Sequence, residues 1–142
     1  MADPYDLDRF LKAQEDIYDT ALEELRAGRK RSHWIWFVFP QLAGLGSSPT
    51  ATFYAIKSLD EAAAYLAHPI LGARLHESLK ALQLLEPTNA GAVFGSLDAT
   101  KFRSSLTLFA EADSGDPIIE GALDRWFGGQ KDDTTLQLLR RA

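Results

Sequence analysis

The chain has 142 residues, 46% of them hydrophobic and 25% charged, a balance that fits one globular domain with a real core and excludes a disordered or membrane-embedded chain. Fifteen Lys and Arg against 20 Asp and Glu leave a formal net charge of −5, so general nucleic-acid binding, which needs a positive field to release counterions, is not expected. No cysteine is present, which removes disulfides, thiolate metal ligands and cysteine nucleophiles together.

The acidic start Met1-Ala-Asp-Pro-Tyr-Asp6 has no apolar signal-peptide region behind it. The longest apolar run, Trp34 to Phe39, is too short to span a bilayer. A cytoplasmic protein without a membrane partner is expected. From Asp6 to Ala27, Phe10, Ile17, Ala21 and Leu25 recur at helical spacing and predict one long first helix, with Gly28 as the residue that ends it. The basic and aromatic stretch Arg29 to Gln41 follows. Ser32 and Pro40 bound a short helix there, or Trp34 to Phe39 forms a buried strand; helix is favoured because no second strand is available to pair with.

Gln41 to Pro49 reads as a Gly/Ser loop, with Ser48 and Pro49 opening a helix to Ile56 or Lys57. Ser58-Leu-Asp-Glu61 has the form of a capping box for a helix ending near His68-Pro69. Leu71, Leu75, Leu79, Leu82 and Leu85 mark the apolar face of the next helix. After the turn at Glu86 to Asn89, a short helix is expected up to Gly95. Asp98 is read as the cap of a helix to about Ala112, Asp116-Pro117 as the start of another that Gly128-Gly129 closes, and Asp133 as the cap of the last. No repeat or linker divides the chain. The fold class expected is all-α, a single domain over residues 1–142 with about seven helices, short ones included.

Three features bear on chemistry. His68 and His76, if both were helical, would lie about 12 Å apart along the axis, too far for one ion, so no metal and no cofactor is expected. The Gly44-Leu-Gly-Ser-Ser48 loop lacks the Lys of a P-loop and the third glycine of a dinucleotide fingerprint; it is either ordinary loop or a weak anion cradle. Thr100, Arg103, Ser104, Thr107 and Glu111 share one face of a helix, which is either solvated or the wall of a pocket.

Ala13-Gln14, Ser32-His-Trp-Ile-Trp-Phe-Val-Phe-Pro-Gln41, His68-Pro-Ile-Leu-Gly-Ala-Arg-Leu75, Lys101-Phe-Arg-Ser-Ser-Leu-Thr-Leu-Phe109 and Asp133-Thr-Thr, in that order, resemble the bacterial domain-of-unknown-function family 1810. The resemblance spans essentially the whole chain and implies a small, mostly helical fold; it implies no activity. The His68 and Lys101 segments are also similar to the NADAR family, which acts on ADP-ribose-linked substrates, with no catalytic residue carried across.

Together the residues suggest a pocket with His33, Trp34, Trp36 and Gln41 on one wall and Lys101, Arg103, Ser104 and Thr107 on the other. Aromatic faces suit a ring, and cationic and hydroxyl groups suit phosphate, so a small phosphorylated or nucleotide-like ligand is expected. His33 is the candidate acid or base if chemistry occurs, because an unperturbed imidazole titrates near neutrality. The competing reading is a non-catalytic interaction module in which the same aromatics are core.

Overall fold

The computed structural model describes residues 3–141, and ten helices run through them, seven with seven or more residues. They are α1 (Asp8–Glu15), α2 (Tyr18–Ala27), α3 (Ile35–Val38), α4 (Pro49–Tyr54), α5 (Leu59–Ala67), α6 (Leu71–Gln83), α7 (Ala90–Phe94), α8 (Ser96–Ala112), α9 (Pro117–Phe127) and α10 (Asp133–Arg141). The only pairing of extended backbone among the described residues is an isolated parallel bridge between Leu42 and Ile56. The protein is mostly α, and the short aromatic segment is helix, not strand.

The expected first helix is two. The periodicity of Phe10, Ile17, Ala21 and Leu25 runs on without a break, yet the regular helix is interrupted by a turn at Asp16–Ile17 (Ile17 φ −119°, ψ −18°). The two halves serve different partners: α1 packs on α3, whereas α2 packs on α6. Gln14, 1% exposed, occupies the corner. Its amide donates to the Phe37 carbonyl at 2.6 Å and the Tyr65 hydroxyl at 3.2 Å, and its oxygen accepts from Arg74 at 3.2 Å. A buried amide needs such partners to offset its desolvation, and turning the helix is what brings them within reach.

α8 lies at the centre, packed against α5, α7, α9 and α10. Its residues Phe102, Leu106, Leu108 and Phe109 join Phe10, Trp34, Phe39, Tyr65, Leu75, Leu79 and Leu123 in one continuous core. Phe39, Phe94 and Phe102 form an aromatic group with centroids 4.6–6.1 Å apart. Four helix starts follow the residues read from sequence: Ser48, Ser58, Asn89 and Asp116 each accept from backbone N–H groups two or three residues on. Two differ. α8 begins at Ser96, before Asp98, and α10 is capped by Asp132 rather than Asp133. α4 also stops at Tyr54, short of Ile56, because Ile56 is taken by the bridge to the Gln41–Ala43 segment.

Glu61 departs from a simple capping box. One carboxylate oxygen accepts from the Lys57 backbone N–H at 3.1 Å, and the other meets Arg9 at 2.7 Å. Arg9 in turn donates to the carbonyls of Tyr5, Asp6, Phe53 and Ala55. All five of its N–H donors are used, which is what permits a guanidinium only 6% exposed.

α5 and α6 meet at Gly72, where an added Cβ would lie 2.0 Å from the Leu66 carbonyl oxygen. Ala for Gly inside an open helix is worth about 1 kcal/mol in favour of folding; here the clash reverses the sign. Gly72→Ala is predicted to destabilise the protein by about 2 kcal/mol or more, read as a lower midpoint in chemical denaturation. An unchanged or raised midpoint would refute the close approach.

Candidate functional site

The organising turn is built on one carboxylate. Gly28 ends α2 in the left-handed region at φ 74°, a conformation that favours glycine. The chain then folds back so that Glu24 accepts from the Arg31 N–H at 2.7 Å, the Ser32 N–H at 2.9 Å, the Ser32 hydroxyl at 2.7 Å and the Trp34 indole N–H at 2.9 Å. Burial alone would raise the Glu24 pKa, but the Ser32 hydroxyl and the N–H donors outweigh it and bring the carboxyl down to about 2. Ser32 is thus not the cap of α3; its hydroxyl is spent on Glu24.

Lys30, with a side chain 6% exposed, reaches the Ser32 carbonyl, sits 5.0 Å from the Trp34 ring centroid and pairs with Asp98 at 2.8 Å. Asp98 also receives Lys101 at 3.2 Å. Burial would raise the Asp98 pKa, yet the two ammonium groups, Lys30 foremost, hold it below the usual carboxylate range. Two lysines share one aspartate, so a positive charge is left over. It falls to Lys101, the more exposed of the two, whose ammonium lies 5.4 Å from the Trp36 ring centroid.

Trp36 and Lys101 open onto a cleft of about 560 Å³, within the usual range for small-molecule sites. Gln41, Leu45 and the Gly46–Ser48 turn line it from the first wall, and Leu97, Thr100, Ser104, Asp132 and Thr134 from the second. The 41–56 excursion is closed at its base by the Leu42–Ile56 bridge, with Ala43 N–H to the Ile56 carbonyl and Ile56 N–H to the Gln41 carbonyl, both at 2.8 Å. That closure holds the Gly/Ser turn against the cleft.

The polar face of α8 acts mostly through the segment ahead of α10. Arg103 donates to the carbonyls of Gln130 and Lys131, at 2.8 and 3.2 Å. Thr107, fully buried, donates to the Arg103 carbonyl at 2.8 Å and accepts the Asp132 N–H at 2.9 Å. The single hydroxyl hydrogen of Ser104, 2% exposed, is shared between the Thr100 carbonyl and the Asp132 carboxylate, each at 3.1 Å. The same Asp132 oxygen, Oδ2, takes the Thr135 N–H and hydroxyl. Asp132 is therefore fixed in both main chain and side chain, and its other oxygen, Oδ1, accepts no hydrogen bond among the described residues.

Four of the eight residues expected from sequence thus meet at one cleft: Trp36, Gln41, Lys101 and Ser104. Four do not. Trp34 is fully buried against Phe39 and Phe94 and belongs to the core. Thr107 and Arg103 hold the 130–132 segment without lining the cleft. His33 is exposed and is not among the residues that line it. Asp132, Thr134, Leu45 and Leu97 were not expected; the signal available was the run Asp132-Asp-Thr-Thr135, in which two adjacent aspartates offer two cap registers.

A second cleft, of about 550 Å³, lies over the Arg9–Glu61 pair. Arg9 and Glu61 spend their donors and acceptors on each other and on backbone, and Asp6 and Lys57 also line this cleft. A third, of about 440 Å³, is bordered by His76. There His76 Nε2 meets Asp116 Oδ2 at 2.7 Å while Asp116 Oδ1 caps α9, so the pair ties α6 to α9.

The molecule is thus a small, mostly helical protein with an open cleft bordered by Trp36 and Lys101. The family described as "Protein of unknown function (DUF1810)" matches residues 4–139, and the chain belongs to that family. A solved structure, "Crystal structure of the conserved hypothetical protein Rv1873 from Mycobacterium tuberculosis at 1.38 A", is similar: 49% identity, 97% of this chain and 99% of that chain covered, and a TM-score of 0.95. No curated protein matches.

Glu24 has a folded-state pKa of about 2 against an ordinary 4.5, so its stabilisation is complete above about pH 4.5 and is lost as pH falls through about 2. Glu24→Gln is predicted to lower stability by roughly 1–2 kcal/mol at pH 7, the value reduced because the carboxylate is partly solvated. The deficit should shrink as pH falls from 4.5 to 2, measured by denaturant titration across that range. A deficit that stays constant over those pH values would show that the charge of Glu24 does not hold the turn.

Proposed function

We propose that the protein is a small-ligand-binding domain whose ligand carries a ring and a phosphate or similar anion, and that it binds at the Trp36–Lys101 cleft. The observation that carries the reading is the pairing of a half-buried tryptophan face with an ammonium in charge excess at the edge of one cleft. The ring stacks on Trp36; the anion pairs with Lys101, assisted by the Ser47–Ser48 hydroxyls. The continuous core supports treating the chain as one domain. Nucleotides, ADP-ribose and sugar phosphates are the compounds that satisfy both requirements.

The site is read as a binding site rather than a catalytic one, because His33 is not among the residues that line it. The interaction-module alternative draws little support. Of the exposed large apolar side chains Phe53, Leu59, Ile70, Leu84 and Leu97, three (Phe53, Leu84 and Leu97) border three different clefts. No helix among the described residues is long and apolar enough to cross a membrane.

A thermal-shift screen with nucleotides, ADP-ribose and sugar phosphates tests the reading. A ligand at a hundredfold excess over its dissociation constant stabilises by about 2.7 kcal/mol, which raises Tm by several degrees. Lys101→Ala is expected to abolish most of that rise and His33→Ala to leave it intact. No rise with any compound, or a rise that Lys101→Ala leaves untouched, would refute the proposal.

A further inference from the structure

Asp132 is the feature of the cleft that an aromatic-plus-anion site does not explain. A lone acidic group beside an anion site weakens binding of any anion by like-charge repulsion. Yet this one is built in with care. Its Oδ2 is held by Ser104 Oγ at 3.1 Å, by Thr135 N–H at 3.0 Å and by Thr135 Oγ1 at 2.5 Å. Its own N–H is held by Thr107, and the two carbonyls before it are held by Arg103. Capping α10 needs only one of these bonds. The remainder fix the direction of the second oxygen, Oδ1, which accepts no hydrogen bond among the described residues, on a residue that lines the cleft.

A pre-oriented carboxylate oxygen is an acceptor waiting for a donor. The ligand therefore brings hydroxyl or ammonium hydrogens to Asp132 and an anion to Lys101. The other groups choose between a polyol and a zwitterion. Trp36 offers a flat face suited to the C–H side of a saturated ring, and Gln41, Thr100, Thr134, Ser47 and Ser48 add uncharged hydrogen-bonding groups. A single ammonium on a compact zwitterion would use Asp132 and leave these idle; a ring bearing several hydroxyls uses them. Resting on the cleft proposed above, we infer that the part of the ligand read by this protein is a phosphorylated sugar: its ring lies on Trp36, its phosphate on Lys101, and a ring hydroxyl donates to Asp132 Oδ1. Asp132 is then the specificity-determining residue, and Arg103, Ser104 and Thr107 are its positioning residues.

The experiment is calorimetric titration of the full chain with ribose 5-phosphate, 2-deoxyribose 5-phosphate, ribose, inorganic phosphate and glutamine. Wild-type protein is expected to bind ribose 5-phosphate at least about tenfold more tightly than ribose or inorganic phosphate, and measurably more tightly than the deoxy sugar, since a lost hydrogen bond to a charged acceptor carries an affinity cost of that order. Asp132→Asn should bring ribose 5-phosphate and its deoxy analogue closer in affinity, whereas Lys101→Ala should bring ribose 5-phosphate closer to ribose. The analogue series on wild-type protein keeps the test decisive even where the Asp132 variant folds poorly. Inorganic phosphate binding as tightly as the sugar phosphate, or glutamine binding more tightly than any of them, would overturn the inference. Failure of all five compounds while a nucleotide base or another aromatic anion still raises Tm would overturn the sugar reading and leave the cleft proposal standing. Failure of all five and of the whole thermal-shift panel would overturn both.

Discussion

The carboxylate of Glu24 is the constraint on which the aromatic segment depends. Four donors from Arg31, Ser32 and Trp34 converge on it, and they fix both the backbone turn after α2 and the rotamer of a fully buried indole. An indole N–H left unpaired in the core costs free energy comparable to a lost hydrogen bond. Trp34 therefore cannot leave this position cheaply. Trp34, just ahead of α3, is fully buried, whereas Trp36, inside α3, is only half-buried: it packs on the edge of the same core and borders the cleft.

The opposite wall follows a related logic. Ser and Thr are indifferent helix formers, yet Thr100, Ser104 and Thr107 sit inside the central helix and return bonds to carbonyls four residues earlier. Ser104 and Thr107 also reach the loop before α10, and Arg103 reaches it beside them. The row therefore works as a mount for Asp132 more than as a binding surface. Lys30 plays the corresponding part on the first wall: buried beside Trp34 and paired with Asp98, it leaves Lys101 with the surplus charge.

Much of the fold was legible because it rests on local signals. Ser48-Pro49, Ser58, Asn89 and Asp116-Pro117 announce helix starts by capping chemistry, and the Leu71–Leu82 face announces a buried helix by period. The break at Asp16–Ile17 was not legible: no Gly or Pro marks it, and the apolar period continues across it, because the cause is the distant partners of Gln14. The lining of the Trp36–Lys101 cleft was legible by half: Trp36, Gln41, Lys101 and Ser104 border it, whereas Trp34, Arg103 and Thr107 carry residue types that suit a pocket and serve positions behind its wall. The choice between Asp132 and Asp133 as the cap depends on Ser104 and Thr107 across the fold, information that neither aspartate carries locally.

The three tryptophans offer a direct test. The indole N–H of Trp34 is bound to Glu24 and that of Trp126 to Gln83, at 2.9 and 3.0 Å, whereas Trp36 borders the cleft with no partner among the described residues. Indole N–H resonances, assigned with single Trp→Phe variants, can be followed during a titration with ADP-ribose, which carries ring, sugar and phosphate together. A cleft that binds such a ligand predicts a saturable shift of the Trp36 resonance, with those of Trp34 and Trp126 close to their starting positions. A silent Trp36 resonance at saturating ligand, or a response confined to Trp34 or Trp126, would contradict it.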